Sequence, residues 1–141
     1  MDLLIVAITM WLSVISGLPM PPEHPNVRFL PSEVLSDMRY GNVDAKRRRE
    51  VVAVYDDNRQ TIYLSDAWSS RDPSDLSVLV HEIVHHLQNS MGLKYECPAA
   101  RERSAYEAQA RWLRHFGRDL STEFGLDPLT LKITTSCFGP G

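Results

Sequence analysis

The sequence predicts a single small α+β domain, with a small antiparallel β-sheet packed on two long helices. Three observations carry this reading. First, two short runs rich in β-branched and aromatic residues, VVAVY at 51–55 and TIYL at 61–64, flank Asp56-Asp57-Asn58-Arg59, a string of turn-forming residues that suits a hairpin over about 51–64. Second, segments at about 73–90 and 98–116 repeat apolar residues at helical spacing, and each opens on a proline where a first helical turn tolerates one. Third, 141 residues with 43% hydrophobic and 23% charged content suit one packed core and not a disordered chain.

The elements follow in order. Leu3 to Leu18, LLIVAITMWLSVISGL, carries no charge. It falls short of the roughly 20 residues of a spanning helix but fits the apolar part of an export signal. Ser16 and Gly17 end it, and Pro19, Pro21, Pro22 and Pro25 follow, although Asp2 stands where such signals usually carry Lys or Arg. Residues 1–19 are therefore read as a signal peptide or N-terminal membrane anchor, set apart from a domain at 20–141 by the proline cluster; a buried core helix is the competing reading. Residues 19–28 form an extended lead. Ser32 caps a short helix that ends at Tyr40 before Gly41.

Asp72, Pro73 and Asp75 start the first long helix, which runs to about Ser90. The second runs from Pro98 to Phe116 before Gly117, and Asp127-Pro128 opens a last short helix in the tail. The only cysteines, Cys97 and Cys137, both lie beyond the apolar leader, which predicts a disulfide and an exported, periplasmic or secreted protein. A bridge closing so long a loop stabilises by roughly 3–4 kcal/mol. The net charge of −3, with one dense basic run at Lys46-Arg47-Arg48-Arg49, excludes a nucleic-acid partner.

The chemistry sits in LVHEIVHHLQ. His81 and His85 are four positions apart, which stacks two imidazoles on one helical face within reach of one Zn²⁺. Leu76, Leu79, Val80, Ile83, Val84 and Leu87 fill the opposite arc, while Glu82 falls beside the metal as a general base should. A catalytic zinc takes three protein ligands and a water. Gln88 and Met91 occupy the positions where a third histidine pattern would place Gly and His. The third ligand is therefore sought on the second helix. Glu102 shares a face with Ala105, Tyr106, Gln109, Trp112, Leu113 and Phe116, the side that buries. Glu107 lies about 140° away, between Arg103 and Arg111, as the centre of an exposed ion-pair ladder. A carboxylate on the apolar face needs a partner, and a metal supplies one. Glu102 is the first choice, with Glu107 and Glu96 as alternatives.

HEIVH followed seventeen residues after its last histidine by Glu102-x-x-Ala105 resembles the gluzincin branch of the zincin-like metallopeptidases. It is most similar to small bacterial proteins with an LVHE-x-x-HHLQ helix and a following E-x-x-AY-x-x-Q helix, over about residues 63–113. The resemblance implies a minimal zincin-like fold in which two helices give His81, His85 and Glu102 to zinc, with Glu82 as base. Several gluzincins carry Asp where Tyr106 stands, to orient a ligand histidine; Tyr106 or Gln109 would substitute here. The family's edge strand upstream of the motif helix corresponds to Thr61, Ile62, Tyr63 and Leu64, which would align an extended peptide by strand addition.

The function expected is that of an exported zinc metallopeptidase holding one Zn²⁺ per chain and acting on a peptide or protein substrate. Glu82 activates the water, and Tyr106, Tyr95 or His86 stabilises the oxyanion. The alternative is a non-catalytic, zinc-stabilised binding module for peptide or cell-envelope material, which would not need Glu82. Contact with a membrane would come only through residues 1–18, if they stay attached.

Overall fold

The computed structural model describes residues 1–40 and 52–137. Its elements are α1 (Asp2–Ser16), β1 (Asn26–Leu30), α2 (Ser32–Tyr40), β2 (Ala53–Asp56), β3 (Thr61–Ser65), α3 (Pro73–Ser90), α4 (Pro98–Arg114), α5 (Leu120–Phe124) and α6 (Pro128–Thr134). This is an α+β domain. The Lys46–Arg49 run, Val51 and the Gly41 stop lie outside the described residues.

The hairpin forms as expected. β2 pairs antiparallel with β3, Ala53 opposite Leu64 and Asp56 opposite Thr61. Asp56 makes the turn by accepting backbone N–H groups from Asn58 and Arg59 on Oδ1. The sheet, however, has a third strand. β1, drawn from the end of the supposed extended lead, pairs parallel with β3 in the order β1-β3-β2. Thr61, Ile62, Tyr63 and Leu64 therefore lie in the central strand and cannot add a peptide edge-on, since both backbone edges are already paired. The reason is visible in burial: every β3 residue is buried, as in a strand covered on both faces.

The segment read as a leader forms α1, and α1 is packed into the core. Ile5, Ile8 and Leu12 are 1–3% exposed and join the same apolar cluster as Ile62, Leu64, Leu79, Ile83 and Leu87. Trp11 meets Trp112 of α4 edge to face, with ring centroids 5.4 Å apart. The prolines do not detach this helix. Gly17, at φ 74°, closes its C-terminus in the left-handed region, and the chain then doubles back through a buried Pro25 into β1. The opposite face of α1, with Leu3, Met10 and Val14, is exposed. Among the described residues no helix is long and apolar enough to cross a membrane.

α3 is the spine. The Asp72 side chain caps it through the Ser74 N–H, and Trp68 Nε1 donates to the Asp75 carbonyl at its first turn. From Ser77 to Gln88 every residue is buried, so sheet, α1 and α4 enclose the helix that carries the histidines. Cys97 and Cys137 form a disulfide, Cα–Cα 5.9 Å, tying the start of α4 to the chain after α6. Such a bond points to an oxidising environment.

If α1 belongs to the core, Leu12→Ala should lower the unfolding free energy by about 2–5 kcal/mol, read from urea denaturation of the chain beginning at Met1. An unchanged midpoint would contradict this packing.

Candidate metal centre

α3 and α4 bring three of the sequence-predicted residues to one point. His81 Nε2 lies 2.8 Å and His85 Nε2 3.1 Å from the same oxygen, Oε2 of Glu102. Both histidines are 6% exposed, and one ligand atom from each of the three residues falls within a 4.8 Å group. The helical-face reading thus selects Glu102. Glu107 is exposed on the far side of α4 and Glu96 is exposed in the loop before it. Among the described residues Glu107 forms no ion pair with Arg103 or Arg111. Arg103 instead turns to the tail, donating to the Thr135 carbonyl and Ser136 Oγ.

The remaining ring nitrogens are held by two glutamines. His81 Nδ1 bonds Gln109 Oε1 at 2.9 Å, and Gln109 Nε2 donates to Ser77 Oγ. His85 Nδ1 bonds Gln88 Oε1 at 2.8 Å, and Gln88 Nε2 donates to the Arg101 carbonyl and Ser104 Oγ. Neither amide can be reversed. A carbonyl only accepts, so the Gln88 nitrogen must face Arg101 O, while Arg101 Nε donates to Oε1. Ser77 Oγ already donates to the Ser74 carbonyl, so it accepts from Gln109. Each Nδ1 therefore carries a proton, and either ring, when neutral, presents its Nε2 lone pair to Glu102.

Two lone pairs facing a carboxylate oxygen repel unless a positive charge lies between them. In the metal-free protein protons supply it. Burial pushes the Glu102 carboxyl up, but hydrogen bonds from His81 and His85 outweigh this and hold it well below the usual carboxylate range. Burial pushes His85 down, yet its bond to Glu102 and the charges of Glu82 and Glu102 raise it above the ordinary imidazole value. A divalent cation meets the same need, and two imidazoles with one carboxylate are a donor set for such an ion with a coordination position left open. Glu82 supports the fit independently. It is 4% exposed, and among the described residues its Oε2 has no hydrogen-bond partner. A buried, unpaired carboxylate oxygen is costly, and a water or substrate beside the cluster would satisfy it.

The other candidates separate clearly. The Tyr106 ring packs against His81 edge to face at 4.5 Å. Gln109 orients His81, as above. His86 points away: Nε2 donates to the Glu23 carbonyl at 2.7 Å and Nδ1 accepts from Tyr55 Oη at 2.8 Å, so it ties α3 to the sheet and the segment before β1. It is removed as an oxyanion donor. Tyr95 is exposed in the loop between α3 and α4, where it lines a cavity with Gln88 and Arg101.

Sequence reasoning missed Gln88, Arg101 and Asp57 as supports. Arg101 Nη2 bonds Asp57 Oδ1 at 2.8 Å and reaches the His85 carbonyl at 3.3 Å, which anchors the Gln88 side of the site to the hairpin turn. Gln88 was detectable, since it sits three residues after His85 on the same face. The Asp57–Arg101 pair spans 44 positions and left no local signal.

Fold and site define a small α+β domain built around a His-His-Glu cluster, its histidines buried and Glu102 partly exposed, that could hold one metal ion. The chain belongs to the family described as a domain of unknown function, DUF6647, matched over residues 1–138, which takes in α1 as well as all three ligands. No curated protein and no solved structure matches it.

Titration with Zn²⁺ as the probe should saturate at one ion per chain. Affinity should fall as the pH drops through the raised His85 range, because proton and metal compete for Nε2. Gln88→Ala should weaken binding by about 10–100-fold. Equal affinity in Gln88→Ala, or in Glu102→Ala, would refute this geometry.

Proposed function

We propose that the protein is an exported zinc metallopeptidase of the gluzincin type. The observation that carries the reading is the unpaired Oε2 of Glu82, buried beside two oriented imidazoles and Glu102. A binding module stabilised by a metal clip would need the three ligands, but it would gain nothing from an unsatisfied acid next to them.

His81, His85 and Glu102 would hold the ion. When bound, zinc lowers the pKa of its water towards ~7 and polarises a carbonyl. Glu82 would accept the proton of an attacking water on its free oxygen and would return it to the leaving amine. Gln88 and Gln109 keep both rings in the required tautomer throughout. Tyr106, packed against His81, is the oxyanion candidate that touches a ligand histidine. Alignment of an extended peptide falls to β1 or β2, the outer strands among the described residues, because β3 is central. Export agrees with the oxidised Cys97–Cys137 pair.

Cleavage of a mixed peptide library by the zinc-loaded protein should fall by about 10²–10⁴-fold in Glu82→Gln, with zinc content unchanged. Cleavage at the same rate would rule out Glu82 as the base. No cleavage by the intact chain under zinc-replete conditions would leave the clip.

A further inference from the structure

A cavity of about 330 Å³ lies between α4 and α6, on the face of α4 that carries Arg103, Tyr106, Glu107 and Arg114. Three cationic side chains line it, Arg103, Arg114 and Lys132, against one acid, Glu107. A local excess of positive charge is unexpected in a chain of net charge −3. Among the described residues Arg103 donates to neutral oxygens, the Thr135 carbonyl, Thr135 Oγ1 and Ser136 Oγ, and forms no ion pair. Among the described residues Arg114 and Lys132 form no ion pair. Leu120 and Leu131 supply an apolar floor, which strengthens attraction to an anion compared with open solvent.

Two features make this a built pocket. The disulfide and the Arg103 bonds hold α6 and the tail against α4. Tyr106 contributes to its wall and also makes the edge-to-face contact with His81, so this side chain borders both the cavity and a metal ligand. A peptide advances about 3.3 Å per residue when extended, which puts the cavity within a few residues of a bond held at the cluster.

We propose that this cavity is a specificity subsite for a carboxylate of the substrate, carried by an Asp or Glu side chain or by the C-terminus, close to the bond that is cleaved. The inference rests on the peptidase reading above. Charge-assisted bonds from guanidinium and ammonium groups recognise a carboxylate, while Glu107, the one acid of the lining, opposes it and weakens the preference.

The test uses one neutral octapeptide in three forms: amidated with Gln, amidated with Glu replacing Gln at successive positions, and with a free C-terminus. Binding is measured on the zinc-loaded Glu82→Gln protein and cleavage on the zinc-loaded wild type. At least one charged form should bind on the order of tenfold more tightly than the neutral one. That advantage should vanish in Arg114→Gln/Lys132→Gln and grow in Glu107→Gln, with the neutral form unaffected. The Glu and free-terminus arms tell the two carboxylate sources apart. Equal binding of charged and neutral forms, or an equal loss of both in the double variant, overturns the subsite. Cleavage without charge preference refutes the subsite and leaves the peptidase reading standing. Charge-dependent binding without any cleavage retains the carboxylate site and refutes the peptidase reading.

Discussion

Two imidazole lone pairs aimed at one carboxylate oxygen constrain everything around them. The arrangement repels itself unless a proton or a cation occupies the centre, and the surrounding structure is organised to prevent the simplest escape, rotation of the rings. Gln88 and Gln109 hold the Nδ1 protons, and each glutamine is fixed in turn by partners of one polarity. The same network reaches out to Arg101 and Asp57, so the hairpin turn is coupled to the orientation of a histidine on α3. Neutral amide oxygens in these positions orient the rings without adding negative charge. Glu102 and Glu82 remain the acids that bear on the centre.

The rest of the fold serves to keep α3 dry and α4 in register with it. A helix buried from Ser77 to Gln88 cannot be solvated on any side, so sheet, α1 and α4 must all cover it. This explains why a chain of this size uses its apolar N-terminal segment as a core helix. Without Ile5, Ile8 and Leu12, the face of α3 that carries Leu79, Ile83 and Leu87 would lose part of its cover. The disulfide plays the corresponding part for α4. Cys97 stands just before its first residue, five positions ahead of Glu102, and fixes the end of the helix that delivers the third ligand.

What was legible in the sequence followed helical periodicity. The four-residue spacing placed His81 and His85 together, and the burial of one face of α4 singled out Glu102 over Glu107. Caps and prolines marked α3 and α6 closely, and the hairpin was plain from its turn. What failed depended on distant pairing. The parallel β1–β3 contact joins residues 35 positions apart, so nothing local revealed that Thr61–Leu64 is a central strand. The apolar leader was ambiguous for a different reason: a core helix that is covered on one face and exposes Leu3, Met10 and Val14 on the other has the same composition as an export signal. His86 could be assigned only after the carbonyl of Glu23 was seen beside it.

The central claim concerns ring tautomers and what lies between the Nε2 atoms, and nitrogen-15 NMR of the histidine side chains reads both. On addition of one equivalent of Zn²⁺, His81 and His85 should each retain a protonated Nδ1, while both Nε2 signals move to the metal-bound position and those of His86 stay unchanged. Protonated Nε2 atoms in the zinc-saturated protein, or a shift at His86 with none at His81 and His85, would contradict the account.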